Sequence, residues 1–88
     1  MYQNLLNLDI RKEIKKDKEV IAVLVFGSYA RKEPHRDIDI CFVLDKKHQN
    51  IEMSRKRLFY LTGLSNEIDL QIFQQLPIYI RIRILKEG

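Results

Sequence analysis

Asp37-Ile-Asp39 is the pair of residues in this 88-residue chain whose spacing carries the most chemistry. From Asp37 to Leu44 the sequence alternates: Asp37, Asp39, Cys41 and Val43 fall on one side, and Ile38, Ile40, Phe42 and Leu44 on the other. A period of two belongs to a strand, and it sets the two carboxylates on one face, roughly 7 Å apart along the chain. Both could then reach one divalent ion or two neighbouring ions, and hard oxygen donors select magnesium or manganese. A second feature, Gly27-Ser28, follows the apolar run from Val20 to Phe26. A helix starting there would offer unpaired N–H groups and partial positive charge to an anion. The glycine would let a phosphate approach the backbone, and the serine hydroxyl would add a donor. A third feature, Asp69, alternates with Ile68, Leu70 and Ile72. On a neighbouring strand it would share a face with Asp37 and Asp39, complete a metal site and take a proton from an attacking hydroxyl. Each feature also has a plainer reading: a glycine turn with a capping serine, an exposed strand start, a solvent-facing strand residue.

The elements that must position these residues follow from periodicity. Residues 3–17 read as a helix through Tyr2, Leu6, Ile10 and Ile14, with Arg11, Lys12, Lys15 and Lys16 on the wet side. Glu19 to Phe26 is a continuous β-branched run, which suits a strand covered on both faces. Residues 28–33 can form a short helix, capped by Ser28 and stopped by Pro34. Residues 50–62 return to helical spacing through Ile51, Arg55, Leu58 and Thr62, with Asn50 able to cap the start and Gly63 the end. Glu67 to Phe73 alternates again as a strand. In the last segment Ile78, Ile80, Ile82 and Ile84 alternate like a strand, while Pro77, Lys86 and Gly88 suit the ends of a helix. The order α-β-α-β-α-β-α describes an α/β (α+β) layer, a small mixed sheet with helices packed on one face. Residues 1–88 are read as a single domain.

Composition bounds the rest. The chain is 45% hydrophobic and 32% charged, enough apolar residue for a core and too much for disorder. A domain of this size buries only roughly 60–65% of its unfolded surface, so an active site should be open or borrow walls from a partner. The single Cys41 excludes an internal disulfide, and His35 and His48 leave little for a histidine metal site. The longest apolar run is far short of the ~20 residues a bilayer needs, and the expected location is the cytoplasm, with no membrane partner. The net charge of +4 is spread over four stretches, Arg11–Lys18, Lys46–Lys47, Arg55–Arg57 and Arg81–Lys86. Solvated helix faces explain that more simply than nucleic acid does.

In order along the chain, "LVFGSYARKEPHRDIDICFVL" followed by "EIDLQIF" resembles the minimal nucleotidyltransferases of the polymerase-beta-like superfamily. Their hallmark is Gly-Ser, a spacer, Asp-x-Asp, and a third Asp on a later strand. The closing "LPIYIRIRILKEG" is similar to their tail, which is helical, and this favours helix for the last segment. The resemblance implies that Gly27 and Ser28 hold the triphosphate of a nucleotide; Arg31 and Lys32 have two readings, as nucleotide phosphate contacts or as solvated side chains. It implies that Asp37 and Asp39 carry two magnesium ions, and that Asp69 ligates one and activates the acceptor hydroxyl. The catalytic and metal set would then be Asp37, Asp39 and Asp69. It further implies ATP as donor and an antitoxin role, in which AMP is moved onto a tyrosine of a HEPN-domain toxin. Three departures stand out: the spacer from Ser28 to Asp37 is eight residues rather than ten, Lys32 stands where glycine is common, and Arg36 stands where serine often precedes the Asp pair. They motivate a second reading, a catalytically degenerate protein that neutralises a partner by contact. A basic RNA-binding protein is a third. Many relatives continue into a further strand, so an open sheet edge is expected, which a partner or a second copy could cover.

Overall fold

Asn7 begins the first helix of this computed structural model, which describes residues 6–27, 31–32, 37–46 and 48–87. Helix α1 runs Leu8–Lys16, and the Asn7 side chain accepts a hydrogen bond from the Ile10 amide at 2.9 Å. The helix expected from residue 3 therefore starts at Leu8. An asparagine side chain that takes an otherwise unpaired N–H defines a helix start and leaves its own residue extended. The buried stripe is the periodic one, Leu6, Ile10 and Ile14.

Three strands form one mixed sheet: β1 (Val20–Phe26), β2 (Ile38–Leu44) and β3 (Ile68–Ile72), in the order β1-β2-β3. β1 pairs antiparallel with β2, and β2 pairs parallel with β3. The α+β class and small mixed sheet are as the sequence indicates. The centre of the sheet is not the continuous apolar run, however. β1 is an edge strand and is half-buried, with Ile21 62% exposed at a bulge between Val20 and Ala22. Bulges at an edge twist it away from further pairing. The alternating strand β2 takes the centre. Ile38, Ile40, Phe42 and Leu44 face the main core, and Cys41 on the other side is fully buried as well.

Parallel pairing of β2 and β3 requires a crossover, and α2 (Asn50–Leu61) makes it. Its cap is Gln49, without a side-chain bond, so Asn50 is the first helical residue and not the cap. The buried face also differs from the expected stripe. Met53 and Tyr60 are buried, whereas Ile51 and Leu58 are each 59% exposed. Polar partners decide this rotation. The Tyr60 hydroxyl donates to Asp17 at 2.9 Å, and Lys56 Nζ lies 2.6 Å from Asp17 and 3.0 Å from Glu19. The Tyr60 ring meets Phe42 edge-on at 4.9 Å. A stripe through Met53, Lys56 and Tyr60 thus places one aromatic and one long stem against the sheet with their polar tips satisfied.

After a 3-10 turn at Phe73–Gln75, helix α3 runs Ile78–Glu87. The Pro77 carbonyl accepts from the Ile80 and Arg81 amides, which confirms helix over strand for this segment. Because its isoleucines alternate, a helix scatters them around its axis. Only Ile84 is buried, while Ile78, Tyr79, Ile82 and Leu85 are exposed. α1 and α2 contribute to the main core on one face of the sheet, and α3 packs against β1. Ile84 and Cys41 lie outside that core, so α3 stands apart from the two-helix layer. The short helix expected over residues 28–33 lies mostly outside the described residues. No described helix is long and apolar enough to cross a membrane.

Candidate active site

Gly27 closes β1 with φ 75°, a conformation that glycine adopts without the cost a side chain incurs. A Cβ added there would collide with the Asp39 carboxylate. The close approach follows from the register, because Phe26 is the partner of Asp39 across β1–β2. On its other side Asp39 is the partner of Asp69 across β2–β3. Three strands thus set the Gly27 turn, Asp39 and Asp69 in one row. Asp37 precedes Asp39 by two residues on the same face and is exposed. The Asp69 side chain is 45% exposed, so this end of the row is open.

Charge gathers in this row. Burial lifts the Asp39 carboxyl above its ordinary value, the negative charges of Asp69 and Asp37 push it the same way, and Arg31 acts against them. The three sequence-predicted carboxylates are therefore electrostatic neighbours. As placed, among the described residues, no group of three or more His, Cys, Asp and Glu side chains is arranged to hold a metal ion. Ser28 lies outside the described residues. The Arg31 amide donates to the Gly27 carbonyl at 3.1 Å, which ties Arg31 to the end of β1. Lys32 then has φ 60°, a left-handed conformation that explains why glycine suits this position.

Two neighbours of the site were not marked by sequence reasoning. Arg57 on α2 donates from Nε to the Leu70 carbonyl at 2.6 Å and brings a terminal nitrogen to 3.8 Å from Asp69. Its position four residues after Met53 and three before Tyr60 was the available signal, since an arginine stem can lie along a buried stripe. Glu87 at the end of α3 accepts from the Gly27 amide at 3.1 Å and from Arg31 at 2.7 Å. Nothing local in the sequence announces that contact, because sixty residues separate Glu87 from Gly27. A shallow hollow of about 430 Å³ lies elsewhere, between α1 and α2, lined in part by Asp17, Lys56 and Tyr60. Those three are already bonded to one another, so their role there is structural. His48 is likewise engaged outside the row, with Asp45 at 3.2 Å. Cys41 is inert, its thiol pushed up to about 12 by burial.

A glycine turn at the end of one strand, a carboxylate pair on the next and a third carboxylate on a parallel neighbour define the palm arrangement of a nucleotidyltransferase. Residues 9–88 match the family described as polymerase beta, nucleotidyltransferase. The chain belongs to this family, in its minimal form. It is also 37% identical over 70 residues to a Methanocaldococcus jannaschii protein named as a candidate protein adenylyltransferase, MJ1547. That alignment covers 77% of this chain and 52% of the relative, so the chain spans about half the relative's length. No solved structure matches the chain significantly.

Proposed function

We propose that the chain transfers AMP from ATP to a hydroxyl of a partner protein, with release of pyrophosphate. The observation that carries this reading is the row formed by the Gly27 turn, Asp39 and Asp69, with Asp37 beside it. The acceptor oxygen attacks the α-phosphorus, a new P–O bond forms, and the bond to the β-phosphate oxygen breaks. Asp69, the partner of Asp39 across β2–β3, takes the hydroxyl proton. The turn after β1 receives the triphosphate, and the missing side chain of Gly27 lets the Asp39 carboxylate come up against that turn. Phosphoryl-type transfer asks for alignment and neutralised charge more than for covalent help.

Asp37, Asp39 and Asp69 suit divalent magnesium, or manganese, by donor chemistry: all three are hard oxygen donors on one sheet face. Burial raises the Asp39 carboxyl first, and the charges of Asp69 and Asp37 add to that; a cation would offset the second contribution. Bound there, the ions would supply Lewis-acid stabilisation of the phosphates. The side chains would have to draw in around them, because as placed they do not converge.

The partner we favour is a HEPN-domain toxin, modified on a tyrosine, which makes this chain the antitoxin of the pair. The exposure of Asp37 and Asp69 supports a macromolecular acceptor, which could approach the row directly. The test is incubation of the purified chain with labelled ATP, magnesium and such a toxin. Label should appear on the toxin with the wild type and with Lys12→Ala, and be lost with Asp39→Ala. Equal labelling by Asp39→Ala would sink the proposal. The eight-residue spacer favours a second reading, neutralisation by contact alone. It predicts toxin binding with no magnesium-dependent ATP binding by calorimetry.

A further inference from the structure

We propose that Glu87 is a positioning residue for the nucleotide-binding turn, holding the Gly27 amide and the Arg31 guanidinium from the end of α3. The inference rests on the nucleotidyltransferase reading above and adds to it a residue from the far end of the chain. The two carboxylate oxygens divide the work: Oε1 accepts from the Gly27 amide at 3.1 Å and Oε2 from Arg31 at 2.7 Å. Arg31 in turn donates its own amide to the Gly27 carbonyl. Glu87, Gly27 and Arg31 therefore close a ring of three hydrogen bonds just after β1.

That ring answers a mechanical need. Gly27 is free to leave φ 75°, and Lys32 is held at φ 60°, so the backbone here has no strong preference of its own for the observed path. The carboxylate supplies the missing constraint, and the Glu87 side chain is only 18% exposed although it ends a helix. The geometry also reassigns Gly27. Its N–H is taken by Glu87 and its missing Cβ accommodates the Asp39 carboxylate, so Gly27 shapes the turn and does not donate to a triphosphate. Arg31 is drawn toward Glu87, which fixes where its charge lies relative to an incoming phosphate.

The experiment compares wild type, Glu87→Ala and Glu87→Gln in magnesium-dependent ATP binding and in label transfer, with Gly27 amide exchange followed in nucleotide-free protein. Loss of positioning should raise KM for ATP about tenfold in Glu87→Ala while kcat changes less than about threefold. Glu87→Gln, which keeps an acceptor for the Gly27 amide, should recover part of the loss. Gly27 amide exchange should accelerate in Glu87→Ala. An unchanged KM in a folded Glu87→Ala variant overturns the proposal, and so does tighter ATP binding, which would make Glu87 a competitor of the phosphate. If Glu87→Ala does not fold, Glu87→Gln decides by the same measurements. A wild type that binds no ATP overturns the underlying nucleotidyltransferase reading and the positioning role with it. That failure is distinct, because it appears in the wild type itself.

Discussion

Asp39 and Asp69 are direct partners across the parallel β2–β3 pairing, so two like charges share one stretch of sheet. Burial first, and then the negative charges of Asp69 and Asp37, hold Asp39 in the folded state above its ordinary value of 3.8. The linkage has a definite sign. The relative stabilisation from Asp39 is complete below 3.8 and is lost as pH rises through the folded-state value. At neutral pH the ionised group therefore burdens the fold. Asp39→Asn should melt higher than wild type at pH 7 without divalent cations, the gap should close below about pH 4, and transfer should be abolished. Thermal melts across pH, with a parallel transfer assay, check both halves.

Asp17 behaves in the opposite sense. Burial disfavours its charge, but hydrogen bonds from Lys56, Tyr60 and the Glu19 amide outweigh burial and hold the carboxyl below its ordinary value. Its stabilisation is present above the ordinary value and is lost as pH falls through the folded-state value. Asp17→Ala leaves Lys56 and the Tyr60 hydroxyl without their principal acceptor and should cost about 1–3 kcal/mol. Urea unfolding at pH 7 gives the number. Lys12→Ala, on the wet side of α1, should stay within about 0.5 kcal/mol of wild type.

Lys32 occupies a left-handed conformation with φ 60°. A side chain there costs about 1–2 kcal/mol, against roughly 0.5–1 kcal/mol for the extra freedom of an unfolded glycine. Lys32→Gly should therefore stabilise the chain by up to about 1 kcal/mol, or roughly 4–8 °C in Tm. A neutral or lower Tm would mean that the Lys32 side chain makes compensating contacts.

Arg57 covers the outer edge of β3 by bonding the Leu70 carbonyl. Arg57→Ala would leave that edge bare, next to Asp69. The expected result is a rise in concentration-dependent association, by light scattering, with Tm lowered by a few degrees. Arg57→Lys should restore solubility only in part, because a lysine lacks the fork that reaches the carbonyl and Asp69 together.

Much of the fold could be read from the chain because alternation and turn residues are local. Asp37 to Leu44 and Glu67 to Ile72 declare their faces without any tertiary knowledge, and so Asp39 and Asp69 could be expected on one side of a sheet. What could not be read was decided across the molecule. The rotation of α2 depends on Asp17 and Glu19, which lie outside it and draw Lys56 and Tyr60 inward. β1 reads as a buried strand by composition, yet its place at the edge is a matter of sheet order. The start of α1 turned on the Asn7 cap, a polar signal that the apolar periodicity ran past. At the site, the Glu87 clamp joins residues sixty positions apart and leaves no local trace.

The sheet order also dictates when the chain acquires its site. β1 and β2 are near in sequence and can zip together early, bringing the Gly27 turn to Asp39. β3 must wait for α2 to cross over before Asp69 can arrive, and longer-range pairings close more slowly. The repulsive carboxylate pair is thus expected among the last contacts to form. A nascent chain would hold the Gly27 turn beside Asp39 first and complete the row with Asp69 only when its third strand docks.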